Sequence, residues 1–465
     1  MSENTKAAKA VEKIDADYSL EAVPESARKG FWNMFFVMVG FTFFSASMSV
    51  GAKLGNGLDL TGFIWACIIG GVILSAYCGV LAYIGASTGM TMDLLCRRAF
   101  GTKGSYLSSF LLGFTQIGWF GVGVAMFSIP AAELLGVNEW VITIIAGLLM
   151  TATAATGMKA LEIVAYISVP LIVVLGVYSM ITAGVEGGGL SAIFGLSAGK
   201  ISLFTGVGYV IGSFISGGTA TPNFIRFAKN RKVAVWTTVI AFFLGNTLMF
   251  CFGAIGGAFT GKEDIFYVMI AQGLAIPALI VLGANIWTTN NNALYTGGLG
   301  LANITGKPMK YLTWVAGIIG TALAIWLYWN FVGWLSILNC ALPPIGMIVI
   351  LDYFKNRSKY DGKHAEAVVN WFNVIGIIAA LCLRQRFPQM ERAYRAPGIK
   401  IGAPVSAVIY VLMMTQLEPD AFTTGIVWCA IALVVYAICR KVYGTGGEFT
   451  LDLAASGAND EPGPE

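Results

Sequence analysis

The stretch VGFTFFSASMSVGAKLGNG, residues 39–57, is an apolar run that Gly, Ser and Thr interrupt part-way along, and a second stretch of the same character, VIGSFISGGTATPN, occupies residues 210–223. A helix in hydrocarbon must satisfy its own N–H and C=O groups, so runs this rich in breakers leave main-chain groups for protein, water, a solute or an ion to satisfy. In the second stretch Gly212, Ser213, Ser216, Gly217, Gly218, Thr219 and Thr221 crowd together and Pro222 removes an amide, so a continuous helix is not expected there.

Working outward, apolar runs of the ~20 residues needed to cross a ~30 Å core recur from Phe31 to Arg440. Between charged, Gly or Pro breaks, spans fall near 31–55, 62–86, 104–134, 139–157, 160–184, 203–227, 231–259, 269–297, 310–328 and 331–353. Three later runs near 366–383, 400–416 and 421–440 bring the total to about 12–13 helices. The two interrupted stretches lie in the first and sixth spans. An odd number of crossings separates them, so the halves that contain them sit upside down relative to each other, as in the inverted repeats of secondary transporters. The expected organisation is a cytoplasmic tail at 1–30, a first repeat at 31–185, a second at 200–355, additional spans at 366–440 and a polar tail at 441–465.

Composition excludes the other broad classes. With 57% hydrophobic and 12% charged residues the chain cannot build a water-soluble surface, and its evenly apolar runs lack the alternation of barrel strands. The net charge of +4 is scattered among loops rather than gathered into a nucleic-acid face. Residues 1–30 contain no apolar core of the signal-peptide kind and read as a soluble tail. The eight cysteines never form a C-x-x-C pair and read as inert. Arg97, Arg98 and Lys103, the group from Arg226 to Lys232, Lys307 and Lys310, and Lys355, Arg357 and Lys359 all fall on the side of the N-terminus, which is therefore expected in the cytoplasm of a multi-pass inner-membrane protein. Arg384, Arg386, Arg392, Arg395 and Lys400 break this parity.

The eighth span reads GANIWTTNNNALYTGG, in which Asn285, Thr288 or Thr289, Asn292 and Tyr295 or Thr296 recur every three to four residues as one polar stripe. In lipid such a stripe faces protein or a pathway. Hydroxyls together with freed carbonyls form a hard-oxygen shell suited to an alkali cation, sodium first. Gln116 and Trp119, three apart in the third span, put an amide and an aromatic face on one side of a helix, and Phe43, Phe44 and Phe214 in the broken stretches add aromatic surface. Acids at membrane depth are nearly absent, which favours cation over proton coupling. The single histidine, His364, lies in a charged loop, and no His, Cys or carboxylate cluster supports an enzyme. GGAFTGKE resembles a phosphate loop until Glu263 replaces the required Ser/Thr.

From about Pro24 to Ala380 the chain resembles the nucleobase:cation symporter family, closely its bacterial cytosine permeases. The motifs are SARKG (26–30), TFFSASM (42–48), TQIGWFGVGVAMF (115–127), GSFISGGT (212–219), FFLGNTLMF (242–250), VMIAQG (268–273), NIWTTNNNALY (285–295), LGLANITG (299–306) and NFVGWL (330–335). The resemblance implies an all-α, five-plus-five inverted-repeat fold of the leucine-transporter kind and uptake of cytosine with sodium, by a protein working as a monomer without an organic cofactor. By position it implies a sodium site made of the carbonyls of Gly40, Phe43 and Asn285 and the hydroxyls of Thr288 and Thr289. The base would lie between Trp119 and Phe214, with Gln116, Ser213, Ser216 and Asn290 on its edge and Phe44 close by. Cytosine permeases typically carry aspartate where this chain has Asn223 and Asn291. Residues 383–398, LRQRFPQMERAYRAPG, and the spans after them resemble instead the C-terminal part of amino acid/polyamine permeases, which implies a junction near residue 380. An amino acid or polyamine permease and a passive channel are the alternative functions.

Overall fold

A computed structural model describes residues 17–195, 201–261, 264–361 and 367–370, the side chains of 259–260 and 331–341 excepted. The late spans expected beyond residue 370, the loop 383–398 and His364 lie outside the described residues. The described chain is helical: α1 (Phe31–Thr42), α2 (Ser45–Gly57), α3 (Leu60–Thr88), α4 (Met92–Phe100), α5 (Ser105–Leu135), α6 (Glu139–Ala155), α7 (Met158–Glu186), α8 (Leu190–Gly195), α9 (Leu203–Thr219), α10 (Thr221–Ile225), α11 (Arg231–Ile240), a π-helical turn (Ala241–Gly245), α12 (Asn246–Thr260), α13 (Ile265–Ala271), α14 (Ala275–Thr305), α15 (Met309–Ala322) and α16 (Ala324–Lys355). Helices α3, α5, α12 and α14 each stop at a left-handed glycine, Gly89, Gly136, Gly261 and Gly306, a conformation that glycine adopts without steric penalty.

Each of the first ten sequence spans corresponds to a helix or a pair of helices. Helices α3, α5 and α7 and the run from Arg231 to Ala258 are long and apolar enough to cross a membrane, and the pairs α1–α2, bent by 57°, and α15–α16, bent by 65°, pass the same test together. The 31-residue α14 falls short on hydropathy because its Thr and Asn residues dilute it, yet Thr288 through Gly300 are all buried. Its polarity faces protein, which lets a helix of this composition sit at membrane depth.

The interruption expected within 210–223 falls at Ala220, between α9 and α10, while α9 runs unbroken through 212–219. Ser213 and Thr219 turn their hydroxyls onto the carbonyls of Val210 and Ile215 within the helix. The glycines serve close packing, since a Cβ on Gly217 would lie 2.6 Å from the Phe214 ring and one on Gly218 would lie 2.6 Å from Cys78 Sγ. Pro222 sits in the first turn of α10, where its missing amide costs nothing. The boundary between spans nine and ten also moves, from about residue 330 to Leu323, because the aromatic run after Ala324 contains no helix breaker and continues α16.

The basic loops meet at one end of the bundle. Val23 N–H bonds Gly89 O at 2.9 Å, Lys29 pairs with Ala228 in an isolated bridge, and Lys29 Nζ lies 2.6 Å from Glu162. Arg226 is fully buried there and donates to the carbonyls of Asp17 and Tyr18 and to the Tyr295 hydroxyl. Ala367 and Val368, within the run expected at 366–383, are non-helical, and their carbonyls accept from Thr102 and Lys103.

Asp93, near the start of the amphipathic loop helix α4, is buried at this end. Desolvation pushes its carboxyl up to about 6, against the partial counteraction of Ser109 and Arg226. A raised carboxyl pKa favours the fold while the group is protonated, and that contribution is lost as pH rises from about 4 through about 6. Asp93→Asn is therefore expected to stabilise the protein by roughly 2–3 kcal/mol at pH 8, with the gap narrowing at pH 5. Thermal unfolding of both proteins at the two pH values checks this.

Candidate functional site

Helix α1 ends where Phe43 and Phe44 adopt extended dihedrals, and α2 restarts at Ser45. The last carbonyls of α1 thereby lose their intrahelical partners and carry the negative end of the helix dipole. Helix α14 fills the gap. Thr289 Oγ1 donates to Phe43 O at 2.7 Å and lies 3.4 Å from Phe41 O and 3.5 Å from Asn285 O. Thr288 Oγ1 donates to Asn285 O at 2.9 Å. Gly40 is close by, because a Cβ there would be 3.5 Å from Thr288 Cβ. All five residues expected at the cation position therefore gather where α1 ends against α14. The Asn285 side chain ties this point to both neighbours, accepting from Ser45 Oγ at 2.9 Å and reaching Met249 Sδ at 3.6 Å. The donor set is hydroxyl and carbonyl oxygen, which fits a hard cation such as sodium and not a thiophilic metal.

Beside this cluster lies a small, partly open cavity lined by Phe44, Gln116, Trp119, Ser213, Phe214, Ser216 and Asn290, the seven residues expected around a solute. Phe41, Gly217, Thr289 and Ala293 complete the wall. Trp119 meets Phe44 edge to face at 5.5 Å, and Phe214 is braced edge-on by Phe41 at 5.1 Å and Phe242 at 5.6 Å. Gln116 is 2% exposed, and its amide nitrogen has no partner among the described residues. Asn290 gives its amide nitrogen to Phe120 O at 3.1 Å and to Met150 Sδ, while its buried Oδ1 has no partner among the described residues. That oxygen rests against Gly123, where a Cβ would lie only 2.0 Å from it. Gln116 thus brings a buried amide donor to the cavity wall, costly to leave unpaired and satisfiable by a polar planar solute.

Asn223 and Asn291 lie away from the cavity lining and are fully buried. Each uses its side-chain oxygen as an acceptor, Asn223 from Met92 N–H at 2.7 Å and Asn291 from the Thr153 hydroxyl at 2.8 Å. A carboxylate could accept the same bonds, but the amide does so without burying a charge. Sequence reasoning missed Phe41 and Gly217, although both lie in the interrupted stretches, and it missed the dual position of Thr289. Gly123 carried no signal, because its role depends on a partner on α14.

Thr289→Ala removes the hydroxyl that bonds Phe43 O. It is expected to weaken sodium binding about tenfold while the protein stays folded, as read from sodium-dependent thermal stabilisation.

Comparison with known proteins follows this geometry. Residues 22–382 match the family described as permease for cytosine/purines, uracil, thiamine, allantoin. The chain is 48% identical over 398 residues to a cytosine permease of Escherichia coli (strain K12), covering 85% of this chain and 92% of that protein. Its fold is similar to that of Mhp1, a nucleobase-cation-symport-1 family transporter, in a closed conformation with bromovinylhydantoin bound, with a TM-score of 0.67 at 17% identity over 86% of this chain and 97% of that one. It is also similar to a Na+-coupled sialic acid symporter in a substrate-bound outward-open state, with a TM-score of 0.60 at 16% identity over 86% and 91% of the two chains. The architecture is accordingly that of a polytopic, inverted-repeat helical transporter, and the curated relatives are permeases rather than enzymes.

Proposed function

We propose that this chain, which belongs to the family of permeases for cytosine/purines, uracil, thiamine and allantoin, takes up cytosine or a closely related nucleobase together with sodium by alternating access. The observation that carries the reading is Thr289. It lines the cavity and at the same time bonds the carbonyl at the end of α1, so solute and cation would share one side chain and one broken helix. A cation gathering the end of α1 and the middle of α14 fixes the cavity wall in the form that holds the base, and linkage makes the effect reciprocal. Trp119 and Phe214 supply the faces for a flat ring, while Gln116, Ser213, Ser216 and Asn290 face its polar edge.

The repeats are assigned to 31–185 and 200–355, with the N-terminus cytoplasmic in the inner membrane and a monomer as the working unit. The convergence of basic loops at one end of the bundle supports this orientation. The family match ends at residue 382, just before residues 383–398, which supports a junction there. Labelled cytosine binding by the purified protein in sodium against potassium tests the function, with excess amino acids or polyamines as competitors. Sodium-dependent binding that only nucleobases compete supports the reading, whereas displacement by an amino acid would replace it with the alternative.

A further inference from the structure

We propose that Asn246, outside the cavity lining, is a positioning residue that orients the Ser213 hydroxyl toward the solute. This rests on the cavity being the nucleobase site. The seventh span is not a uniform helix. It carries a π-helical turn over Ala241–Gly245, closed by the bond from Asn246 N–H to Ala241 O, and such turns are concentrated at functional positions. The turn lies where this span meets both interrupted stretches. On one side Gly245 abuts the break in the first span, since a Cβ there would be 2.5 Å from Thr42 Oγ1 and 3.4 Å from the Phe43 ring. On the other side Asn246 Nδ2 donates to Ser213 Oγ at 3.2 Å.

Ser213 has one hydrogen and two lone pairs. The hydrogen goes to Val210 O at 2.7 Å, and the Asn246 amide takes one lone pair. What the hydroxyl retains for the cavity is a single acceptor position, so the solute must bring an N–H to it. Asn246 itself is 1% exposed, and its Oδ1 has no partner among the described residues. A residue kept only for packing would not leave a buried acceptor unpaired, because a leucine of similar volume fills the space without that penalty. The bond to Ser213 is the one side-chain hydrogen bond that the amide makes among the described residues, and it justifies the residue.

The test is a double-mutant cycle on reconstituted transporter, with cytosine uptake as the readout. Asn246→Leu is expected to raise KM about five- to tenfold with the maximal rate within twofold, and to leave the yield and elution profile of the purified protein unchanged. In a Ser213→Ala background the same substitution is expected to change KM by less than twofold, because its target is gone. Asn246→Ala serves as the second variant should leucine disturb packing. Equal effects of the Asn246 substitution with and without Ser213, or a fall in maximal rate and yield with KM unchanged, would overturn the proposal. If Ser213→Ala alone leaves KM unaltered, the assignment of the cavity fails. If Ser213→Ala raises KM and Asn246→Leu does not, only the positioning role fails.

Discussion

Replacing Trp119 by alanine is expected to weaken cytosine binding roughly a hundredfold, because stacking of a base on an aromatic face is worth ~1–3 kcal/mol and Phe214 supplies only the opposite face. Its neighbour Phe44 packs against it at 81° with ring centroids 5.5 Å apart. The cation cluster involves none of its atoms, so sodium-dependent thermal stabilisation should remain within twofold. Isothermal titration with cytosine, alongside that stabilisation measurement, separates the two effects. A loss of both would mean that the substitution collapses the bundle, and a loss of neither would remove the cavity from consideration as the solute site.

The second large effect is structural. Gly253→Ala is expected to cost at least about 3 kcal/mol and to abolish uptake. A Cβ on Gly253 would fall within 2.5 Å of the Met48 backbone carbon and closer still to its carbonyl oxygen, and a Cβ on Gly51 would meet the backbone of Phe250 in the same way. Helices α2 and α12 therefore touch main chain to main chain, and neither can yield by turning a side chain. Through this contact the second half of the first span is held to the span that carries Asn246, so the two should move together. Gly184→Ala is the control. That glycine lies in α7 with nothing within 4 Å of its would-be Cβ, and alanine there should be neutral or stabilising by up to ~1 kcal/mol. Thermal unfolding and uptake of the two variants check the contrast.

Much of this organisation is legible in the sequence because lipid imposes strong rules. Apolar length marks the spans, and the odd number of crossings between the Gly/Ser/Thr-rich stretches marks the inversion. The polar stripe from Asn285 to Thr296 announces a buried face, since no such stripe can face hydrocarbon. Composition could not say where α9 is interrupted. Gly217 and Gly218 suggested a break, whereas they make room for Phe214, Phe41 and Cys78, and that distinction depends on neighbours distant in the chain. The amphipathic α4 gives little signal in the sequence, because it is short and carries Asp93, Arg97 and Arg98. Asn246 left no trace beyond its place in FFLGNTLMF, since a π-turn has no composition of its own.

If one broken helix serves both cation and base, a sodium gradient drives the uptake of a nucleobase. Purified protein in proteoliposomes, given labelled cytosine outside with an inward sodium gradient, measures this directly. Accumulation above the outside concentration, abolished when sodium is equal on both sides or replaced by potassium, is the expected result. Equilibration of cytosine at the same rate with and without the gradient, or no uptake of any nucleobase, would contradict the account.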